Sequence, residues 1–299
     1  MKILIKVPAT SANLGPGFDA LGLALDLWNE AAFTPAENFR VEIEGEGAKR
    51  LPTNQNNAIV NAALQVYKMA GKSCKGLHVH CINRIPLTSG LGSSSAALLA
   101  GLLGANALLG EPFSNEELLK VAVENEGHPD NVAPAMLGGL VVSASIDGKI
   151  ITRKMNVAPL AAAIAMPNFH FPTKQARAAL PKQIPIKDAV HNISRAVLVT
   201  KALECGDLEL LGKVMDDALH QPYRLPLIPG AREAMDAAKE AGASAVALSG
   251  AGPSLIAFSA KEDAAIGEAM KREFESVGLT ARIFELRVSD KGAEVESGG

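Results

Sequence analysis

At 299 residues the chain outgrows a single hydrophobic core, so two domains of ordinary size are expected. Hydrophobic residues make up 48% of it and charged ones 20%, and a net charge of −3 with scattered basic residues leaves no footprint for nucleic acid or an anionic membrane surface. Cys74, Cys81 and Cys205 form an odd set without Cys-x-x-Cys spacing, which argues against a disulfide frame or a zinc site and for free thiols in a reducing, cytoplasmic compartment.

The first apolar run, Met1 to Pro8, is too short and too quickly broken for a signal peptide or a membrane span, and it reads as a strand. Behind it, Gly15-Pro16-Gly17-Phe18-Asp19-Ala20 fits Gly-x-Gly-x-x-Ala by letter. Pro8 to Asn13 separates it from that strand, and an extended stretch rather than a helix follows, so a dinucleotide fold is not expected. Leu21, Leu23, Leu25 and Leu27 alternate with smaller or polar residues, as do the apolar positions of Phe39–Glu44 and Leu77–Cys81, which predicts three strands with one covered face. Asn57 to Ala70 between them reads as a helix.

Pro86-Leu87-Thr88-Ser89-Gly90-Leu91-Gly92-Ser93-Ser94-Ser95-Ala96 joins a glycine turn to three hydroxyls and a long apolar helix beginning near Ser94. The glycines let backbone N–H groups turn toward one point, and the helix N-terminus adds unpaired amides and partial positive charge. An anion is expected there. The loop is no Walker A motif and carries no lysine, so a polyphosphate bound on it calls for a cation such as magnesium and a carboxylate to hold it. Downstream, Ser114-Asn115-Glu116-Glu117 is a capping box that opens a helix running to about Glu126. A carboxylate at the negative end of a helix needs compensation, and Glu126 with the Ser94 hydroxyl could supply it by holding a metal ion. A solvated helix end is the plainer reading of the same residues. A strand is expected over Leu140–Ile146.

From about Val157 the pattern changes. Strands are predicted over Leu160–Met166, Ser244–Leu248, Ser254–Phe258 and Leu279–Leu286, with helices over Asp188–Cys205, Asp207–Leu219, Gly230–Ala241 and Glu262–Val277. Apart from the extra helices this is βαββαβ, a ferredoxin-like order, and the boundary falls near residues 150 to 158. Ser249-Gly250-Ala251-Gly252-Pro253-Ser254 sits between two strands and on its own reads as a hairpin turn. The polar tail Glu294–Gly299 is expected to fray.

Three clusters in this order, Pro8 to Asp19, Pro86 to Ala96 and Ser249 to Ser254, resemble the three motifs of the GHMP kinases. The first, together with His128-Pro129-Asp130-Asn131-Val132-Ala133-Pro134, is similar to the homoserine kinase branch of that superfamily. The resemblance implies an α+β fold, with a ribosomal-protein-S5-domain-2-like α/β domain over residues 1–155 and a ferredoxin-like domain over 156–299. It implies ATP held by Pro86 to Ala96 with Gly250 and Gly252, and Mg2+ on Ser94 and Glu126, with Glu124 as the alternative carboxylate. It implies L-homoserine recognised by Asn13, Asp19, His128, Asp130, Arg177 and Arg224, with Thr173 and Arg177 at the family's spacing. The aspartates suit an ammonium and the arginines a carboxylate. Either arginine alone reads as a surface ion pair, the commoner fate of an arginine. Where mevalonate kinases place a lysine after the first proline this chain has Ala9-Thr10, so Asp130 stands as substrate ligand or as general base without a lysine partner. Asn57 and Asn61 are the candidates for adenine contacts, and a homodimer is compatible with the resemblance.

Overall fold

The computed structural model describes residues 2–298; Met1 and Gly299, the ends of the first and last segments considered above, lie outside the described residues. In the first half the chain runs β1 (Lys2–Ala12), β2 (Leu21–Pro35), β3 (Arg40–Gly45), α1 (Ala58–Met69), β4 (Leu77–Asn83), α2 (Ser93–Leu108), α3 (Asn115–Glu126), α4 (Val132–Leu137), β5 (Leu140–Ile146) and β6 (Lys149–Met155). It continues β7 (Ala161–Pro167), α5 (Thr173–Ala178), α6 (Ile186–Cys205), α7 (Leu208–Val214), α8 (Gln221–Arg224), α9 (Ala231–Glu240), β8 (Ala245–Leu248), β9 (Leu255–Ser259), α10 (Ala264–Ser276), β10 (Ala281–Arg287) and β11 (Glu294–Gly298).

The strands form two sheets. The first has seven, ordered β11-β1-β2-β4-β3 with β5 and β6 added beside β2. Strand β2 outruns its leucine alternation because its two ends pair with different neighbours, Leu21–Leu23 with β5 and Glu30–Pro35 with β4. Strand β1 does not stop at Pro8; a register shift at Pro8/Ala9 absorbs the proline, and pairing with β2 continues to Ala12. The largely apolar α2 packs against both this sheet and α1, with Leu99, Leu102, Leu103 and Ala105 in the main core.

The second sheet is ordered β10-β7-β9-β8 with every neighbouring pair antiparallel, which is the ferredoxin-like 4-1-3-2 order of a βαββαβ unit. Its strands begin at Ala161, and those of the first sheet up to Met155 precede it. The expectation of a frayed tail is overturned: β11 returns to the first sheet and pairs antiparallel with β1 from Lys2↔Gly298 to Lys6↔Glu294. The helix expected over Asp207–Leu219 stops at Val214, because the Asp217 carboxylate accepts from the backbone N–H groups of Leu219, His220 and Gln221 and starts a new turn there. Strand β6 went unread in the sequence, its polar, exposed positions giving little sign of a covered face.

Candidate active site

Segments far apart in sequence meet at one end of the first sheet. Thr10 N–H donates to Leu91 O at 3.1 Å and Gly250 N–H to Ala12 O at 3.0 Å. The Ser249 hydroxyl donates to Gly90 O at 2.8 Å and hydrogen-bonds with Ser11 Oγ at 2.9 Å. The end of β1, the loop before α2 and the β8–β9 turn are thereby stitched together. The turn is more than a hairpin connection, since it packs directly beneath the glycine loop.

The loop presents backbone and short hydroxyl side chains to a cavity of about 340 Å³. Gly90 and Gly92 hold φ of 81° and 72°, where a side chain is disfavoured. A Cβ on Gly90 would run into the carbonyl oxygens of Ser249 and Gly252, and one on Gly92 into the Thr10 hydroxyl. Helix α2 opens at Ser93, with Gly92 as an N-cap that offers no side-chain acceptor to its first-turn amides. Those N–H groups and the positive end of the dipole are therefore available to an anion. Thr88, Ser89, Ser93, Ser94, Ser95 and Gly250 also line this cavity. Leu91 is fully buried in the core, Gly252 packs against Ile228 and Leu248, and Pro86 faces a different cavity on the far side of the loop.

Helix α3 delivers Glu126 to the rim, where its carboxylate accepts from the Ser94 hydroxyl at 2.6 Å. Glu124 points elsewhere, lying 3.9 Å from Lys120 on the outer face of α3. Ser94 and Glu126 bring two hard oxygens side by side at the mouth of the amide cradle. That donor set fits magnesium, which commonly takes one or two carboxylates and completes its shell with phosphate and water. No lysine among the described residues lines the cavity, so the positive charge a polyphosphate needs is not otherwise supplied at this end.

The opposite end is built from charged side chains. Arg177, from α5, holds Asp19 in a two-pronged ion pair at 2.7 and 3.0 Å. These bonds raise the Arg177 pKa above its usual value despite partial burial. Arg224, from α8, is only 1% exposed and donates to His220 Nδ1 at 3.2 Å and Gly250 O at 3.3 Å. Burial, and then the nearby Arg177 charge, push its pKa down to about 10, which leaves it a cation at neutral pH. The Phe18 ring lies between the two guanidinium groups, 5.7 Å from Arg177 and 5.2 Å from Arg224. His220 stacks on the same ring and donates from Nε2 to Gly15 O; burial lowers its pKa, which suits the neutral form needed to accept from Arg224.

Across the cavity, His128 Nδ1 donates to Asp130 Oδ1 at 2.5 Å. Burial alone would lower the His128 pKa, but the bond to Asp130 and its charge outweigh that and raise it. Asn131 directs its amide toward the same Asp130 oxygen while its carbonyl accepts from Thr10 Oγ1. Asn13, in left-handed backbone, spends its side chain inside the protein: Nδ2 donates to Gly250 O and Oδ1 accepts from Asp19 N–H. It shapes the wall of the cavity that Asp19 faces.

A second, largely apolar cavity of about 370 Å³ adjoins the first at Thr88, Ser93 and Ser94, between α1, α2 and the sheet. Asn57 lines it but works as the α1 N-cap, accepting from Ile59 N–H and donating to Pro52 O. Asn61 is exposed and does not line it. The Cys81 thiol in its wall is pushed up to about 12 by burial and stays neutral.

The structure thus brings Asn13, Asp19, His128, Asp130, Arg177 and Arg224 around one cavity with Ser94, Glu126 and much of the glycine loop, and leaves Pro86, Leu87, Leu91, Ala96 and Gly252 off it, Leu87 and Ala96 lining the adjoining apolar cavity instead. Sequence reading missed Phe18, Asn192, Asp217 and His220. Each was an isolated residue whose role depends on neighbours distant in the chain, and only Phe18 lay in a recognised motif.

The GHMP kinase N-terminal domain matches residues 57–139 and the GHMP kinase C-terminal domain residues 199–276. The homoserine kinase of Moorella thermoacetica is 45% identical over 98% of this chain and 99% of its own length, and that of Carboxydothermus hydrogenoformans 43% identical over 97% and 96%. The crystal structure of homoserine kinase from Cytophaga hutchinsonii superposes with a TM-score of 0.87 at 34% identity, covering 99% of this chain and 97% of the other. The L. major mevalonate kinase in complex with R-mevalonate reaches a TM-score of 0.73 at 17% identity over 96% of each chain, a likeness of fold alone.

Proposed function

The chain belongs to the homoserine kinase family of the GHMP kinases, and from that premise we propose how its residues divide the work. The protein is an ATP-dependent kinase that phosphorylates the side-chain hydroxyl of L-homoserine to O-phospho-L-homoserine, a step of L-threonine biosynthesis. The observation that carries the division of labour is the polarity of the cavity, with an amide cradle at one end and paired arginines and aspartates at the other.

The adenosine of ATP occupies the apolar cavity, and its phosphates lie on the amides and hydroxyls of Thr88–Ser95 with Gly250. Ser94 and Glu126 are the residues that would hold Mg2+; when bound, it offsets phosphate charge that no lysine here can meet. Arg224 and Arg177 take the homoserine carboxylate, Arg224 from a preorganised buried position and Arg177 by sharing its fork with Asp19. Asp19 and Asp130 receive the ammonium. Oδ1 of Asp130 is committed to His128 and Asn131, which leaves Oδ2 for the substrate and supports a ligand role over a general base. The homoserine hydroxyl then attacks the γ-phosphorus, the bond to the β–γ bridging oxygen breaks, and the hydroxyl proton leaves to phosphate or water. Alignment and charge compensation suffice for such a transfer. Asn13, Phe18 and His220 position the groups that touch substrate.

Residues 1–155 supply the nucleotide cradle, and residues 156–299 contribute Arg177, Arg224 and Gly250. The free thiols Cys74, Cys81 and Cys205 support a cytoplasmic setting, and no helix among the described residues is long and apolar enough to cross a membrane. Coupled ADP release with L-homoserine, L-serine, L-threonine and mevalonate tests the reading. Turnover is expected to be highest on homoserine, and turnover on mevalonate without any on homoserine would overturn it.

A further inference from the structure

We propose that Asp217, which does not touch the cavity, is the positioning residue that aims the Arg224 fork at the substrate carboxylate, and so sets the preference for an amino alcohol with a carboxylate over one without. The proposal rests on Arg224 taking that carboxylate. Asp217 is not among the residues lining the cavity, and its side chain has no exposed surface. Four donors fill its two oxygens. Asn192 Nδ2 at 2.6 Å and Leu219 N–H at 2.9 Å reach Oδ1, and the N–H groups of His220 at 2.8 Å and Gln221 at 2.6 Å reach Oδ2. No lysine or arginine among the described residues pairs with it; His220 Nε2 lies 3.5 Å away and donates to Gly15 O instead. A turn of this kind needs one acceptor oxygen, which serine or asparagine supplies at many helix starts. An enclosed anion is costly, so its charge and second oxygen are more than the turn calls for.

What the surplus secures lies one turn further on. His220, whose backbone N–H one oxygen of Asp217 holds, accepts from Arg224 with Nδ1 at 3.2 Å and donates from Nε2 to Gly15 O at 2.8 Å. Both ring nitrogens are thereby fixed. The other bonds of Arg224, to Gly250 O at 3.3 Å and Ala176 O at 3.4 Å, are long and go to neutral carbonyls. Its guanidinium has no carboxylate partner among the described residues, although it is 1% exposed. Burial and the Arg177 charge push its pKa down, while Asp19 and then Asp217 push it back up. Asp19 lines the cavity and is held by Arg177. Asp217 is the counter-charge that stays behind the fork when a substrate arrives.

Asn192 carries the brace to the facing wall. Its Nδ2 also donates to Pro16 O at 3.1 Å, and its Oδ1 accepts from Ala218 N–H at 2.8 Å. With His220 on Gly15 O, two residues bonded to Asp217 grip two consecutive carbonyls of the turn that leads to Phe18. The backbones there meet closely, since a Cβ on Gly15 would run into Met215 O. The fork of Arg224 and the Phe18 ring beneath it are thus set against each other from one carboxylate. Asp19 has separate holders, Arg177 and the Asn13 carbonyl, so the ammonium side does not depend on Asp217. Gln221 Oε1 accepts from Leu248 N–H at 2.7 Å, which keeps α8 docked on β8 when Asp217 is changed.

Initial rates with L-homoserine and with 3-aminopropan-1-ol, the same amino alcohol without its carboxylate, test the proposal in the full chain. Wild type is expected to prefer homoserine by about a hundredfold or more in kcat/KM, because a site built to bind a polar group rejects the analogue that lacks it. In Asp217→Asn the preference is expected to fall by about tenfold, through the homoserine KM, with the ATP KM and the efficiency on the truncated alcohol within about twofold of wild type. Equal losses on the two alcohols would make Asp217 a structural cap only, and an unchanged preference would remove it from recognition; either overturns the proposal. Asp217→Ser is the second variant, since serine restores a capping acceptor without the charge, and circular dichroism melts show that each variant folds. It is expected to lose the preference as Asp217→Asn does, and full restoration by serine would overturn the need for a carboxylate. Arg224→Ala separates the proposal from the assignment beneath it. Preference lost in Arg224→Ala but kept in Asp217→Asn would strike Asp217 alone, whereas preference kept in Arg224→Ala would strike the carboxylate assignment and the proposal with it.

Discussion

The two ends of the cavity are made of different material. The end assigned to phosphate is a contiguous stretch of chain, Thr88 to Ser95, whose amides and helix terminus suit an anion, with Glu126 as the one charged side chain beside it among the described residues. The end assigned to homoserine is a cluster of side chains from distant parts of the chain, in which each is held by another: Asp19 by Arg177, Arg224 by His220, Asp130 by His128. Backbone cradles tolerate changes of side chain but not an added Cβ. Side-chain clusters tolerate neither loss nor conservative exchange, and on the proposed division of labour discrimination between amino acids is expected to reside there.

The sharpest way to break this contrast is to remove the one charge at the phosphate end. Glu126→Gln is expected to lower kcat by about a thousandfold, the scale seen when a group that stabilises transition-state charge is lost. Glu126 is at the rim, so the melting temperature should barely change. Wild-type turnover in Glu126→Gln, with turnover lost in Glu124→Gln, would move the metal site to the outer face of α3.

At the other end, Arg224→Ala is expected to raise the homoserine KM by about a hundredfold while the ATP KM stays near wild type, and to destabilise the fold by about 2–4 kcal/mol, because it empties a buried position and leaves His220 Nδ1 without its donor. Arg224→Lys should rescue little, since an ammonium cannot reproduce the planar fork. Parallel changes in both KM values would mean that the two ends are not separable.

The same difference explains what could be read from the sequence. The amide cradle was legible because its causes are local: two glycines, a run of three serines and a helix start lie within eleven residues. The ferredoxin-like order was legible from strand and helix periodicity. Strand β11 was not, because the reason Glu294–Gly298 is ordered is an edge of β1 almost the whole chain away. Asp217 was read as helix interior because its carboxylate caps a turn whose sequence carries no familiar signature. Residues such as Arg177 and Arg224 entered only through likeness to a family, for nothing local distinguishes them from surface arginines.

Gly90→Ala probes the phosphate end without touching any charge. At φ of 81° the new Cβ meets the backbone oxygens of Ser249 and Gly252, so the loop and the β8–β9 turn must part. The expected outcome is a loss of about 2 kcal/mol in stability and a roughly tenfold rise in the ATP KM, with the homoserine KM affected less. A fully stable variant with normal ATP affinity would mean that the backbone conformation of the loop is not what binds the phosphates.

The smallest expected effect separates the two causes acting on His128. In the wild type the bond to Asp130 and its charge win over burial, so the folded-state pKa lies above the usual value near 6.5. A raised folded pKa contributes stability that is fully present below the unfolded pKa and is lost as pH rises through the folded value. Asp130→Asn removes the charge and leaves the burial, so the His128 pKa should fall below 6.5 and the sign of its contribution should invert, the variant losing stability as pH drops through the same window. NMR titration of the His128 imidazole, with melts between about pH 5 and 8, reads both quantities. If His128 in the wild type titrates below a free histidine, burial rather than Asp130 governs it, and Asp130 is then free to act on the substrate hydroxyl instead of being held as a ligand.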